Sequence, residues 1–293
     1  QRQMCIRDRL RMFCRLLVVD MKCGILDQWK KYLLAILFFF TCSVIFVLQW
    51  KNQERALGEA LGVTPTLGDF FLFFFGGSDR YVFDPYRPFI FPAQWILMIL
   101  YGTYLNLNYA NDNLHGIGIH ALLHSKSRSM WWFSKCSCVI VGTLIYFILS
   151  ILTTAFSCFI LGGEFSMEIH ASILQTILEV FSMQMQNPLG EMVITYIMVY
   201  LVIVALSLLQ LLLSILIKPL LSFLSISTIV FVSSYFMTPL LFANFAMPVR
   251  SLCFVTEGLD PGLGFVLIGS SIIFCLLSGW WYFNHIDILG KEE

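Results

Sequence analysis

The sequence predicts an all-α polytopic membrane protein with six transmembrane helices and both termini in the cytoplasm. Three observations predict it. Of the 293 residues, 58% are hydrophobic and only 12% charged, with a mean hydropathy of +0.81. Soluble domains carry about 25% charged residues, and a soluble chain this apolar would expose large adhesive surfaces. Second, six stretches are long and apolar enough to cross a hydrocarbon core of about 30 Å, which needs roughly 20 residues at 1.5 Å rise each. Third, Lys and Arg concentrate in alternate connections, which sets the orientation.

The chain opens with QRQMCIRDRLRMFCRLLVVD, basic and without an evident cap or period, so residues 1–20 read as a non-native or disordered arm. Residues 21–293 read as one six-span domain. The spans are expected at about Tyr32–Gln49, Phe89–Tyr109, Cys136–Leu161, Met192–Ile217, Leu220–Ala246 and Leu263–Phe283. Lys22, Lys30 and Lys31 precede the first; Trp29, Lys30 and Lys31 are expected as membrane-interface anchors, ring and ammonium at headgroup level. The connection Trp50–Pro88 contains LGDFFLFFF (67–75), too short to span, which fits an interfacial segment and a buried packing segment equally well. Lys218–Pro219 leaves room only for a tight hairpin between the fourth and fifth spans. Pro239 and Pro248 interrupt the fifth, which is expected to cross by Phe236 and then bend as a re-entrant or interfacial return. The segment 162–191 has Glu164, Glu168, Glu179 and Glu191 but no Lys or Arg, which places it outside.

The interior chemistry is sparse. No ionisable residue falls deep inside the six expected spans, where ion-coupled carriers and intramembrane enzymes need one. No GxxxxGK[ST] is present, so the chain has no phosphate-cradling loop of that kind. His120 and His124, four apart, share a helical face, but HALLH lacks the glutamate of HExxH and no second box accompanies it. No cofactor, metal or catalytic residue is expected. The formal net charge is zero, and no nucleic-acid partner is expected.

The longest polar interruption with a net positive charge is Asn111–Lys135, NDNLHGIGIHALLHSKSRSMWWFSK. It joins the second and third expected spans. Leu114, Gly116, Ile119, His120, Leu122 and Leu123 form its apolar, helix-tolerant part, followed by the basic Lys126 and Arg128. Trp131, Trp132 and Lys135 then lead into the third span and are expected as further interface anchors.

These features together resemble the membrane-spanning permease subunit of a bacterial type-2 ABC exporter in its small six-span form. The resemblance covers Met21 to Lys291: a basic lead-in (Asp27 to Lys31), six spans, both ends inside and a bend before the last span. Most telling is the loop with Gly116, Gly118, Ser125–Arg128 and Trp131–Lys135. The resemblance implies that Asn111–Ser125 holds a coupling helix that docks on a separately encoded ATP-binding-cassette ATPase. It implies that Leu114, Ile117, Ile119, Leu122 and Leu123 fit a groove on that partner, that Gly116 and His120 belong to the same coupling loop, and that Lys126 and Arg128 hold the junction at the membrane surface. It further implies alternating access driven by the ATPase, a second permease copy or homologue, and the bacterial cytoplasmic membrane. A membrane scaffold or regulatory protein without transport is the main alternative, with a metal-dependent membrane enzyme behind it.

Overall fold

The computed structural model describes residues 6–56, 64–81, 89, 91–107, 128–170, 172 and 188–285, with side chains at all of these but 6–10, 56 and 188. Eight α-helices carry the described chain. They are α1 (Ile6–Met21), α2 (Trp29–Ala56), α3 (Leu67–Phe75), α4 (Ala93–Tyr104), α5 (Arg128–Ile160), α6 (Pro188–Leu216), α7 (Pro219–Tyr235) and α8 (Pro261–His285). A π-helical turn, Lys22–Leu26, joins α1 to α2, and two 3-10 turns, Phe242–Ala246 and Pro248–Arg250, lie between α7 and α8. Among the described residues no strand forms, only two isolated bridges.

Among the described residues four helices, α2, α5, α6 and α8, are long and apolar enough to cross a membrane. The chain is therefore a membrane-embedded helical protein. Each of the six expected stretches contains a helix, but α4 has 12 residues and α7 has 17. At 1.5 Å per residue these are about 18 and 26 Å long. The two pack on each other and on α6. α7 stops at Tyr235, as the downstream prolines require, and Pro219 occupies its first position, where a missing N–H costs nothing.

α6 is the central post. It packs against α4, α5, α7, α8 and the first 3-10 turn. Its apolar window is 67% buried, against 22% for α8, which leaves most of α8 facing outward. One end of the bundle gathers Lys22, Lys30, Lys31, Arg128, Lys135 and Lys218 with Asp20 and Asp27; the other mixes Glu54, Asp69, Asp79, Glu164, Glu168, Glu257 and Asp260 with Lys51, Arg55, Arg80 and Arg250. Cross-contacts fix this pairing of ends. Tyr101 Oη donates to the Lys31 carbonyl (2.7 Å), Arg128 to the Asn284 carbonyl (3.3 Å), and Trp95 Nε1 to the Ala246 carbonyl (2.7 Å).

The Phe-rich segment is a wedge, not an interfacial strip. All nine residues of α3 are buried. Phe70 and Phe73 meet Phe46 of α2, Phe74 meets Phe39, Phe71 and Phe75 meet Tyr196 of α6, and Phe75 also meets Phe147 of α5. Aromatic pairs of this kind add about 0.5–1.5 kcal/mol beyond their buried area. A nine-residue helix buried all round must satisfy its first N–H groups internally. The strap 164–170 does this. Leu67 N donates to the Glu164 carbonyl (2.9 Å) and Gly68 N to the Ser166 carbonyl (3.1 Å), while Thr66 and Asp69 form a reciprocal capping box. A Cβ on Gly68 would lie 2.6 Å from the Glu168 carbonyl oxygen, so the strap needs glycine there.

Residues 6–20, expected as a non-native or disordered arm, form the helix α1 here, and its last turn is packed against α5.

Candidate functional site

The lysine-rich end is organised around the first two turns of α5, which follow the undescribed residues 108–127 in the chain. Three fastenings hold these turns. The first is an ion pair in the interior. Lys135 Nζ lies 2.5 Å from Asp20 Oδ1, with the side chains only 1% and 4% exposed. Ser134 Oγ donates to the other carboxylate oxygen (2.5 Å), and Cys138 Sγ lies 3.4 Å from the Asp20 carbonyl. The Lys135 ammonium also sits 5.2 Å from the Trp131 ring centroid, close enough for a cation–π attraction. A buried ammonium is tolerable only when paired and hydrogen-bonded, and α1 supplies that partner.

The second fastening is aromatic. Trp131 stacks on Phe283 of α8 with ring centroids 4.5 Å apart and planes 8° apart. Trp132 donates through Nε1 to the Leu276 carbonyl (3.0 Å) and lies over Gly279, where a Cβ would come within 2.0 Å of its ring. The third is a polar clasp at the end of α8: Arg128 donates to the Asn284 carbonyl, Trp280 Nε1 to Ser129 Oγ (2.9 Å), and Asn284 Nδ2 to the same oxygen (3.3 Å). A cation at a helix C-terminus meets the partial negative charge of its last carbonyls.

This arrangement corrects three expected anchors. Trp131, Trp132 and Lys135 are buried, not at a lipid interface. The reason is that α5 begins at Arg128, so all three lie inside a helix whose faces are covered by α1 and α8. Trp29 and Lys30 are exposed, and the Lys31 ammonium lies 5.2 Å from the Tyr104 ring centroid. Of the expected coupling residues, Arg128 takes part in the clasp. Leu114, Gly116, Ile119, His120, Leu122, Leu123 and Lys126 lie outside the described residues.

The opposite end has its own buried charges, which the sequence reading missed. Arg250 is 1% exposed, and its guanidinium is surrounded by neutral acceptors. Nε donates to the Ser78 carbonyl (2.8 Å), Nη1 to the Ser233 carbonyl (2.7 Å) and Asn244 Oδ1 (2.5 Å), and Nη2 to the Ser234 carbonyl (2.6 Å). Ser78 Oγ and the Asp79 carbonyl complete the set at 3.2 and 3.3 Å. The fork therefore ties the end of α7 to the 3-10 turns and to the chain after α3. Burial lowers its pKa to about 10, against the pull of Asp79, and the group stays protonated at neutral pH. Asp69 accepts from Thr66 N (2.9 Å), Thr66 Oγ1 (3.0 Å) and His170 N (2.9 Å), and its Oδ2 is 2.9 Å from His170 Nδ1. Two signals could have shown these groups: the T-x-x-D spacing of Thr66 and Asp69, which is a capping box, and a lone arginine inside the apolar run 247–255.

In the bundle interior, Gln210 of α6 is 1% exposed, and among the described residues neither its amide nitrogen nor its oxygen has a hydrogen-bond partner; Ser207, one turn earlier, is in the same position. Among the described residues no group of three or more His, Cys, Asp or Glu side chains could hold a metal ion.

Comparison with known proteins adds one finding. A family model described as "Protein of unknown function (DUF2705)" matches residues 67–289, about three-quarters of the chain. The chain belongs to the DUF2705 family. The match begins at the first residue of the α3 wedge and runs past α8, so the aromatic fastening, the clasp and the Arg250 fork all lie within the DUF2705 region. Asp20 and α2 precede it. No curated protein and no solved structure matches the chain.

Proposed function

We propose that this DUF2705 protein is the membrane-spanning subunit of an ATP-binding-cassette export system of the bacterial cytoplasmic membrane. In this reading it has six spans with both termini inside, and it moves its substrate by alternating access. A separate ATPase supplies the energy, since the chain has no P-loop of its own. One observation carries the reading. The polar, basic loop enters a helix whose first two turns are fastened to α1 by a buried ion pair and to α8 by stacked rings and a polar clasp. A push on the loop would thus move α1, α5 and α8 together, because packed interiors transmit displacement instead of absorbing it. That is what a coupling element needs. A second copy or a homologue would complete the pathway.

The test is purification from membranes of cells that also express the neighbouring reading frames. An ATPase subunit bearing a P-loop should come down with the chain, and the complex should hydrolyse ATP in liposomes. A chain that purifies alone under every mild detergent tried, and whose export phenotype survives deletion of all neighbouring ATPases, would sink the proposal.

A further inference from the structure

Between α2 and α5 lies an open groove of about 460 Å³ that no other described element fills. Leu33, Ile36, Leu37 and Phe40 line one side, Leu152, Thr153 and Phe156 the other. On α2 the lining residues Leu33, Leu37 and Phe40 continue a face that begins at Lys30, since positions three and four apart share a face. Lys30 and Trp29 are exposed at its head, with Leu26 and Lys22 exposed one to two turns earlier. The described carboxylate nearest this head is Asp27, in the turn before α2, so exposed cations outnumber it. From Lys30 to Phe40 is ten residues, about 15 Å along the axis.

We propose that this groove is a binding site for an anionic glycerophospholipid. One acyl chain lies along Leu33, Leu37 and Phe40 against Leu152 and Phe156, and the headgroup phosphate sits at Lys30 and Lys22 beside the Trp29 indole. Two features select this occupant. Apart from Thr153 the lining is apolar, which suits a hydrocarbon chain, and the exposed cations stand at the Lys30 end. A second copy seated here by a two-fold axis along the membrane normal would set Lys30 against Lys30 at equal depth, a like-charge contact. This inference does not depend on the transport reading, because it rests on the groove and the lysines alone.

The experiment is native mass spectrometry of the purified full chain, titrated with dioleoyl phosphatidylglycerol and dioleoyl phosphatidylcholine. The wild type should retain the glycerol lipid at least tenfold better. Each surface lysine contributes roughly fivefold to anionic lipid binding, so Lys22→Gln with Lys30→Gln should lower phosphatidylglycerol retention by about 25-fold and erase the preference. Leu37→Trp, which fills the groove without touching the charges, should release both lipids. Equal retention of the two lipids by the wild type, or unchanged retention in both variants, would overturn the proposal. So would full displacement by glycerol 3-phosphate, which lacks the acyl chains.

Discussion

Neutralising Asp20 should destabilise the bundle more than any change on its exposed faces. Asp20→Asn keeps the shape and one acceptor but removes the charge that faces Lys135, whose side chain is 1% exposed. Removing one member of a buried ion pair costs about 3–5 kcal/mol, because the other charge stays in the interior uncompensated. The Trp131 face and the remaining amide oxygen offset part of that, so the lower half of the range is expected. For a chain of this size about 2–3 °C of melting temperature corresponds to each kcal/mol. The melting temperature in detergent, followed by intrinsic fluorescence, should fall by about 6–12 °C. Lys135→Met should do the same, leaving Asp20 with the Ser134 hydroxyl alone. The double variant Asp20→Leu with Lys135→Met should recover most of the loss, since replacing a whole buried pair with apolar groups is near neutral or stabilising. Deleting residues 1–20 should behave like Asp20→Asn, although the sequence alone predicts a silent deletion. The reasoning is refuted if each single variant melts within about 2 °C of wild type, or if the double variant is as unstable as the two losses added together.

Arg250→Lys should also be costly, because an ammonium with three donors cannot serve the six acceptors that the guanidinium fork reaches. At about 1–3 kcal/mol for each orphaned buried acceptor, the 3-10 turns should loosen, and maleimide labelling of the nearby, half-buried Cys253 should accelerate several-fold; unchanged labelling counts against the clamp. Gln210→Met should raise the melting temperature, since a similar volume replaces an amide buried without partners, at a gain of about 1–3 kcal/mol. A lower melting temperature would mean that the amide is satisfied in the folded protein.

The sequence disclosed those parts of the fold that depend on one helix at a time. Each of the six apolar stretches that hydropathy picks out contains a helix, four of them long enough to cross a membrane, Pro219 begins α7, and Lys218–Pro219 is the short hairpin it suggested. Contacts between helices were not legible, because they depend on which face each helix turns to a neighbour. Trp131 and Trp132 look like interface residues from their place beside Lys135, yet the register of α5 against α8 turns both inward onto Phe283 and Gly279. LGDFFLFFF is apolar all round, a pattern that suits an interfacial strip and a buried wedge alike; only the strap 164–170, which caps its free N–H groups, makes burial possible. Asp20 and Lys135 are 115 residues apart, and no local pattern joins them.

The most direct test of the central claim concerns the loop that α5 anchors. Replacing Leu122 and Leu123 together by Asp would put two charges into the groove expected on the ATPase. An unpaired buried charge costs several kcal/mol, and each 1.4 kcal/mol is tenfold in affinity. The proposed ATPase partner should vanish from the purified complex, while the chain still inserts and keeps its melting temperature. Thr256→Asp, an exposed position at the opposite end, should leave the complex intact. If the loop variant retains its ATPase at wild-type stoichiometry and hydrolyses ATP at the wild-type rate, the loop is not the coupling element and the account is contradicted.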